Sequence, residues 1–544
     1  MLFKINLKST LIVYIATFFS FTISAQDLEQ DLEQDWHLLD LKKDKIPGIS
    51  LKQAYDLLKK NRKTPSKVIV AVLDSGLDIK HEDLNSIIWV NKDELKNNGI
   101  DDDSNGYIDD INGWNFIGNA NGESLEAETL GLTRLYRDYR KKFKNKNKYN
   151  ISPGEANEYK KYLIIMKEYD DEFSQLKKRM TDSKEEYEFF NKLIPPLQEA
   201  IGKSVFSRNQ LRNFSGGGQQ IQNFKANFLR ILDRNQEKKL TSEKLIKHYE
   251  DLKERMKDLN TRLKYNYNLE FDGRKIIGDN YNDLNEKYYG NADVTKRAGH
   301  GTHVSGIIGA INNKIGIDGI AKEVIIMPIR NTPMGDERDK DVANGIRYGV
   351  DNGAKIINMS FGKSYSSNKE IVDEAIRYAQ EKGVLLIHGA GNDNKNTDYY
   401  YSYPTPLLND GKVATNWIEV GASSSNFNEK LAANFSNYGK ESVDVFAPGV
   451  DVYSTLPDNK YDTRSGTSMA APVVSGVAAL LLSYFPDLTP EAVKEIIVQS
   501  GTVYEGKVNL PGTDDKVSFE SLSKSGKIVN AYNAVKLALE KYDK

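Results

Sequence analysis

Three residues suited to nucleophilic attack lie far apart in this chain, each in a setting that favours one part of that chemistry. Ser468 lies in Gly466-Thr467-Ser468-Met469-Ala470-Ala471-Pro472, where an irregular approach turns into an apolar helix expected from about Ser468 through Leu482. A hydroxyl there meets the free N–H groups and the dipole of a helix N-terminus, which favour a developing negative charge. Alone, such a serine reads as a helix cap. Two other segments supply what a nucleophilic serine needs, a base and a carboxylate to orient it. The run Val68-Ile69-Val70-Ala71-Val72-Leu73-Asp74-Ser75-Gly76 reads as a strand buried on both faces, hence part of a parallel sheet. Asp74 ends it, at the edge where ligands bind in open α/β sheets. Gly299-His300-Gly301-Thr302-His303 is a small-residue turn entering a helix, and its glycines let another backbone come close.

In this order, Asp, His, Ser, the motifs resemble those of the subtilisin-like serine peptidases. The residues that carry over are Asp74 in Leu-Asp-Ser-Gly, His300 in His-Gly-Thr-His, and Ser468 in Gly-Thr-Ser-Met-Ala-Ala-Pro. Gly389-Ala390-Gly391-Asn392 matches the oxyanion segment, and Asn358-Met359-Ser360-Phe361-Gly362 the strand against which substrate lies. The resemblance implies Asp74, His300, Ser468 and Asn392 as catalytic residues. It implies Ser360, Phe361, Gly362, Gly389, Ala390 and Gly391 as the substrate-binding surface. The reaction it implies is hydrolysis of peptide bonds in proteins or peptides through an acyl-enzyme, with no organic cofactor.

The chain holds six histidines. His303, three residues beyond His300, is expected to be structural and hydrogen-bonded. His388 either lines the specificity pocket or is a strand-end histidine without a role. His37, His81 and His248 read as surface or packing residues. His300 and His303 lack a carboxylate at a matching helical spacing, so a zinc site is not expected.

Strands are predicted at 67–73, 323–329, 354–359, 383–388, 417–422 and 443–446. Helices are predicted near 301–311, 340–352, 367–382, 468–485 and 489–499. This alternation gives an α/β fold, a mostly parallel sheet with helices on both faces. It is divided into a catalytic domain, 36–119 and 291–544, and a long helical insertion, 120–290, between the Asp and His motifs. In the insertion Tyr159, Tyr162, Met166, Tyr169, Phe173, Leu176 and Met180 recur at spacings of three and four. So do Leu245, Tyr249, Leu252, Met256, Leu259 and Leu263, giving two heptad seams. Breaks at Pro195-Pro196 and at Ser215-Gly216-Gly217-Gly218 suggest an antiparallel helical hairpin with a third helix near 125–145. The seam is the core of a helical subdomain, a lid over the site, or a docking surface; the pattern leaves all three open.

With 544 residues the chain is long enough for one large catalytic domain plus an addition. A formal net charge of −2 gives no bulk attraction to nucleic acid or anionic membrane. There is no cysteine, which excludes a thiol nucleophile and a disulfide framework. Lys4 and Lys8 precede the apolar stretch 11–19, as in an export signal cleaved after Ala25, followed by an acidic segment over 26–35. A periplasmic or extracellular destination is expected, with no membrane span after cleavage.

Asp101-Asp102-Asp103-Ser104-Asn105-Gly106-Tyr107-Ile108-Asp109-Asp110 has oxygen side chains at alternate positions and a glycine for a sharp turn, as a calcium loop requires. The expected ligands are Asp101, Asp103, Asn105 and Asp109, although Asn112 stands where an EF-hand has glutamate. The favoured reading is an exported serine endopeptidase. The alternative is a secreted binding protein on a degenerate peptidase fold, and the presence of Asp74, His300, Asn392 and Ser468 weighs against it.

Overall fold

The computed structural model describes residues 34–235 and 240–543, and the expected export signal lies outside them. The chain divides into two compact units. One comprises residues 33–165 and 268–544, and the other includes 166–267.

The first unit is built on thirteen strands: β1 (Val68–Asp74), β2 (Trp114–Asn115), β3 (Val324–Arg330), β4 (Ile356–Met359), β5 (Leu385–Gly389), β6 (Trp417–Ser423), β7 (Val445–Pro448), β8 (Val452–Leu456), β9 (Lys460–Arg464), β10 (Thr502–Val503), β11 (Lys507–Asn509), β12 (Lys516–Ser518) and β13 (Lys527–Ile528). Nine of them form one sheet in the order β10-β13-β7-β6-β5-β4-β1-β3-β2. Its central pairs are parallel. The six predicted strands are all present, each within a few residues of its expected bounds. They are nearly continuous β-branched or aliphatic runs because both faces are covered.

The alternation of side chains along a strand divides the core in two. Val68, Val70 and Val72 pack on one face with Ile326, Ile356 and Leu385, against the helices Gly299–Gly309 and Thr467–Tyr484. Ala71 and Leu73 pack on the other with Ile329, Ile357 and Leu386, against the helices Asp339–Asp351 and Lys369–Glu381. The helix Thr467–Tyr484 is long and apolar enough to cross a membrane by composition, but 89% of it is buried inside the protein. That explains its lack of a polar face: a helix surrounded by core needs none.

The chain leaves β1 toward β3 on one side and reaches β4 on the other, so the order of strand addition reverses between the parallel neighbours β1 and β4. A crevice opens at the carboxyl ends of such neighbours. The segment returning to this sheet is fastened by buried ions. Arg274 pairs with Asp279 and with Asp341 at 2.7 Å, and Lys340 reaches Asp279 at 2.9 Å and Glu286 at 2.6 Å.

In the second unit, Tyr187 stacks on Tyr249, His248 meets Glu186 at 2.8 Å, and Tyr169 donates its hydroxyl to the Tyr267 carbonyl. Residue numbers that rise on one helix as they fall on the other mark an antiparallel pair, drawn from Ala156–Ile201 and Ser242–Thr261. A cluster including Phe190, Leu193, Ile194, Leu197, Phe228, Leu232, Leu245 and Leu252 is its core. The break expected at Pro195-Pro196 does not occur, since the helix runs through both prolines to Ile201. Ile194 and Leu197 flank them and are fully buried, and packing there outweighs the roughly 3 kcal/mol cost of an interior proline. The third expected helix is Gly131–Phe143, in the sheet unit.

Two buried histidines couple this fold to acid. Burial lowers the pKa of His37 to about 4, and neither of its ring nitrogens has a hydrogen-bond partner. Burial, with the nearby Arg464 charge adding to it, lowers His303 to about 3. Below the ordinary value of 6.5 the unfolded chain takes up protons that the folded chain excludes. The stability these residues contribute is therefore complete above about pH 6.5 and declines as the pH falls toward 4 and then 3. The melting temperature should drop between pH 7 and 4, and His37→Leu should make that drop shallower. Parallel curves for the two proteins would contradict the assignment.

Candidate active site

The carboxyl ends of β1, β4 and β5 bring the sequence motifs together. Leu73 is level with Met359, and Met359 with His388, so Asp74, Ser360 and Gly389 follow at the same edge. His300 comes from the adjoining helix Gly299–Gly309, whose approach depends on Gly301. A Cβ at Gly301 would lie 2.2 Å from the Gly76 carbonyl oxygen and 3.2 Å from the Asp74 Cβ. The close approach lets His300 Nδ1 meet Asp74 Oδ1 at 2.7 Å and Oδ2 at 3.0 Å. Nδ1 faces only carboxylate oxygen and so carries a proton, which leaves Nε2 as the proton acceptor of the neutral ring. The Asp74 side chain is 3% exposed and that of His300 is 34% exposed, so the carboxylate is shielded while the ring edge reaches solvent.

Ser468 is the second residue of the helix Thr467–Tyr484. Its hydroxyl donates to the Ser360 carbonyl at 3.1 Å, and the Ser360 hydroxyl donates back to the Ser468 carbonyl at 3.0 Å. Behind this clasp Asn358 donates to the Ser360 hydroxyl at 2.9 Å, and Ser475 donates to Asn358 at 2.8 Å. The serine is thus tied to the end of β4 by a buried polar chain.

Asn392 is orientated by Thr467, whose backbone N–H and hydroxyl reach its Oδ1 at 2.8 and 3.2 Å. That fixes Nδ2 as the donor end of the amide. A Cβ built on Gly466 would lie 3.6 Å from both Asn392 Nδ2 and the Ser468 backbone nitrogen, so the two donors bound one small volume. The loop itself is shaped by Asn437, which sequence reasoning did not select. Its Nδ2 donates to the Ala390 carbonyl at 2.8 Å, and its Oδ1 accepts from the Asp393 and Lys395 amides at 3.0 and 2.9 Å. Gly391 adopts φ +106°, and a Cβ there would lie 2.4 Å from Asn437 Nδ2. Only glycine fits that position.

His388 is fully buried and does not line an open pocket. Its Nδ1 faces the Glu419 carboxylate at 2.9 and 3.1 Å, and its Nε2 faces the Phe361 carbonyl at 2.7 Å. Burial alone would lower its pKa, but the Glu419 charge and hydrogen bond outweigh that and raise it. His303 is held as expected, with Nε2 at 3.1 Å from the Asp462 carbonyl.

Beside Asp74 and His300 runs an open cleft of about 860 Å³, whose lining includes Met334, Ser360, Arg297 and Arg464. Farther off, the acidic loop gathers Asp101 and Asp103 with Glu94, a residue outside the sequence motif. One carboxylate oxygen from each lies within 4.8 Å of the others. Asp109 instead turns both oxygens onto the Asn98 and Gly99 amides at 3.0 Å, and Asn105 Oδ1 accepts from the Tyr107 amide at 2.8 Å.

The model of the subtilase family, peptidase class S8, matches residues 65–519, and the chain belongs to that family. It is 38% identical over 39% of its length to the thermostable alkaline protease of Halalkalibacterium halodurans. It is 34% identical over 48% of its length to thermitase of Thermoactinomyces vulgaris. The matched stretches span 55% of the first relative and 85% of the second. The crystal structure of a cold adapted subtilisin-like serine proteinase is 33% identical, covering 42% of this chain and 76% of that one with a TM-score of 0.34.

The tightness of the Asp74–His300 approach has a measurable consequence. Gly301→Ala should cost about 1–3 kcal/mol of stability by overpacking, read as a lower denaturant midpoint with an unchanged slope. An unchanged midpoint would mean that this contact relaxes freely.

Proposed function

We propose that the protein is a serine endopeptidase that hydrolyses peptide bonds through a Ser468–His300–Asp74 triad and an acyl-enzyme intermediate. The observation that carries this reading is the Asp74–His300 bond, 2.7 Å long and shielded on the carboxylate side, at the same sheet edge as Ser468. Family membership supports it, because subtilase relatives are serine proteases.

On attack, the Ser468 hydroxyl gives its proton to His300 Nε2 as its oxygen bonds to the scissile carbonyl carbon. Asp74 holds the ring in the required tautomer and stabilises the imidazolium. Asn392 Nδ2 and the Ser468 N–H donate to the oxyanion. Collapse expels the leaving amine with the proton from His300, and a water molecule activated by the same ring cleaves the acyl-enzyme. The Ser360-Phe361-Gly362 backbone takes the substrate as an added strand. Substrates are accordingly proteins or peptides, and the N-terminal segment carries the protein out of the cytoplasm.

Glu94, Asp101 and Asp103 form an acidic cluster that can bind a metal ion. All three offer hard oxygen donors, which suits calcium in a structural role. Calcium should then raise the melting temperature relative to chelator, by the equivalent of about 2.7 kcal/mol at a hundredfold excess over Kd. Glu94→Gln with Asp103→Asn should abolish the shift. Equal melting temperatures with calcium and with chelator would remove the ion from this account.

A fluorophosphonate probe should label Ser468 in the full protein and leave Ser468→Ala unlabelled, as mapped by mass spectrometry. Asn392→Ala should lower kcat about 10²–10³-fold with little change in KM. A folded, calcium-supplied protein that is neither labelled nor active on peptides would overturn the reading.

A further inference from the structure

Neighbouring residues of an extended segment turn their backbone groups to opposite edges. Along 360–363 one edge bonds to groups inside the protein. The Phe361 carbonyl meets His388 at 2.7 Å, and the Lys363 N–H and C=O pair with Tyr403 at 3.0 and 2.8 Å. The opposite edge carries the Ser360 carbonyl, which takes the Ser468 hydroxyl, and the Gly362 amide. Tyr403 bonds through its backbone, whereas the bond on Phe361 comes from a side chain of β5.

That side chain is in an unusual electrostatic setting. Both of its ring nitrogens face acceptors, a carboxylate and a carbonyl, so both must carry protons and the ring is an imidazolium. Glu419 is itself held by the Trp417 indole N–H at 2.7 Å. Its backbone N–H donates to Asp444 at 2.9 Å, and Lys494 and Lys524 neutralise Asp444 at 3.0 and 3.1 Å. The indole ring lies 5.3 Å from the imidazole and the Phe361 ring 6.4 Å from it, so the ion pair is walled by aromatic groups.

We propose that His388 is a positioning residue for the acyl side of the substrate: bridging Glu419 and the Phe361 carbonyl, it fixes the Phe361–Gly362 peptide plane with the Gly362 N–H turned toward an added strand. The geometry follows from the trans peptide, in which the C=O of one residue and the N–H of the next point in opposite directions. Pulling the Phe361 oxygen inward therefore pushes the Gly362 N–H outward. In antiparallel pairing, a substrate residue opposite Ser360 is followed two residues away by one opposite Gly362. His388 thus acts only on substrates with at least three residues ahead of the scissile bond. This inference rests on the peptidase reading.

The test uses two p-nitroanilides with the same residue next to the scissile bond, one with that residue alone and one with three residues. In the wild-type protein the longer substrate should have the higher kcat/KM. In His388→Ala that gain should shrink about tenfold, mostly through KM, as expected for loss of one charge-assisted bond and the order it imposes. His388→Phe combined with Glu419→Gln removes both buried charges while keeping a ring, and serves where the single variant does not fold. It should show the same shrinkage. An undiminished gain in either folded variant, or an equal loss on both substrates, overturns the positioning role while leaving the triad intact. Wild-type protein that cleaves neither substrate and is not labelled at Ser468 overturns the peptidase reading and this inference with it.

Discussion

Parallel pairing of β1, β4 and β5 is the constraint on which the site depends. Leu73, Met359 and His388 are level across the three strands, and adjacent strands are separated by about 4.8 Å. Backbone hydrogen bonding therefore sets the separations among Asp74, Ser360 and Gly389 before any side chain contributes. A slip of one residue in any strand would turn Asp74 or Ser360 toward the opposite face. The buried two-faced core prevents that slip, since each strand places alternate residues in separate apolar clusters. Elements outside the sheet then add single groups to the fixed frame. The helix Gly299–Gly309 contributes His300, and the helix Thr467–Tyr484 contributes Ser468 with its free amide.

Polar groups buried around this frame give it definition at an energetic cost. Ser475, Asn358 and Ser360 form a chain that ends on the Ser468 carbonyl, and Thr467 and Asn437 fix the loop containing Asn392. Each such group would cost about 1–3 kcal/mol if left without a partner. Alternative arrangements of the loop are penalised accordingly, and the native one is singled out. The His388–Glu419 pair extends the same logic beneath the substrate strand. An ion pair in a sheet interior gains little net stability, so its value lies in the geometry it imposes on Phe361.

The residues legible in the sequence were those with a local signature. Asp74, His300, Asn392 and Ser468 each sit in a short motif at the end of a recognisable strand or the start of a helix. The strand predictions held because hydrophobic runs of this type have few alternative fates in an α/β chain. Residues whose role arises only from tertiary contact were not legible. Glu94 lies seven residues ahead of Asp101, outside the acidic run, and joins it only because the loop folds back. Asn437 and Glu419 are single polar residues in ordinary settings, and nothing in their spacing points to Ala390 or His388. The continuous helix through Pro195-Pro196 was missed for the converse reason: a strong local signal for a break was overridden by burial of Ile194 and Leu197.

The resting position of Ser468 adds a last step to the peptidase reading. Its hydroxyl spends its proton on the Ser360 carbonyl at 3.1 Å, the same oxygen that an added substrate strand would use as acceptor. A carbonyl oxygen has two lone pairs, so a substrate N–H can bond it beside the hydroxyl without displacing it. For attack the hydroxyl must exchange this acceptor for His300 in the proposed peptidase. The seat of the substrate strand and the resting position of the nucleophile therefore share one carbonyl group. The carbonyl that receives both groups is held by β4, and so the linkage returns to the strand register from which the site is built.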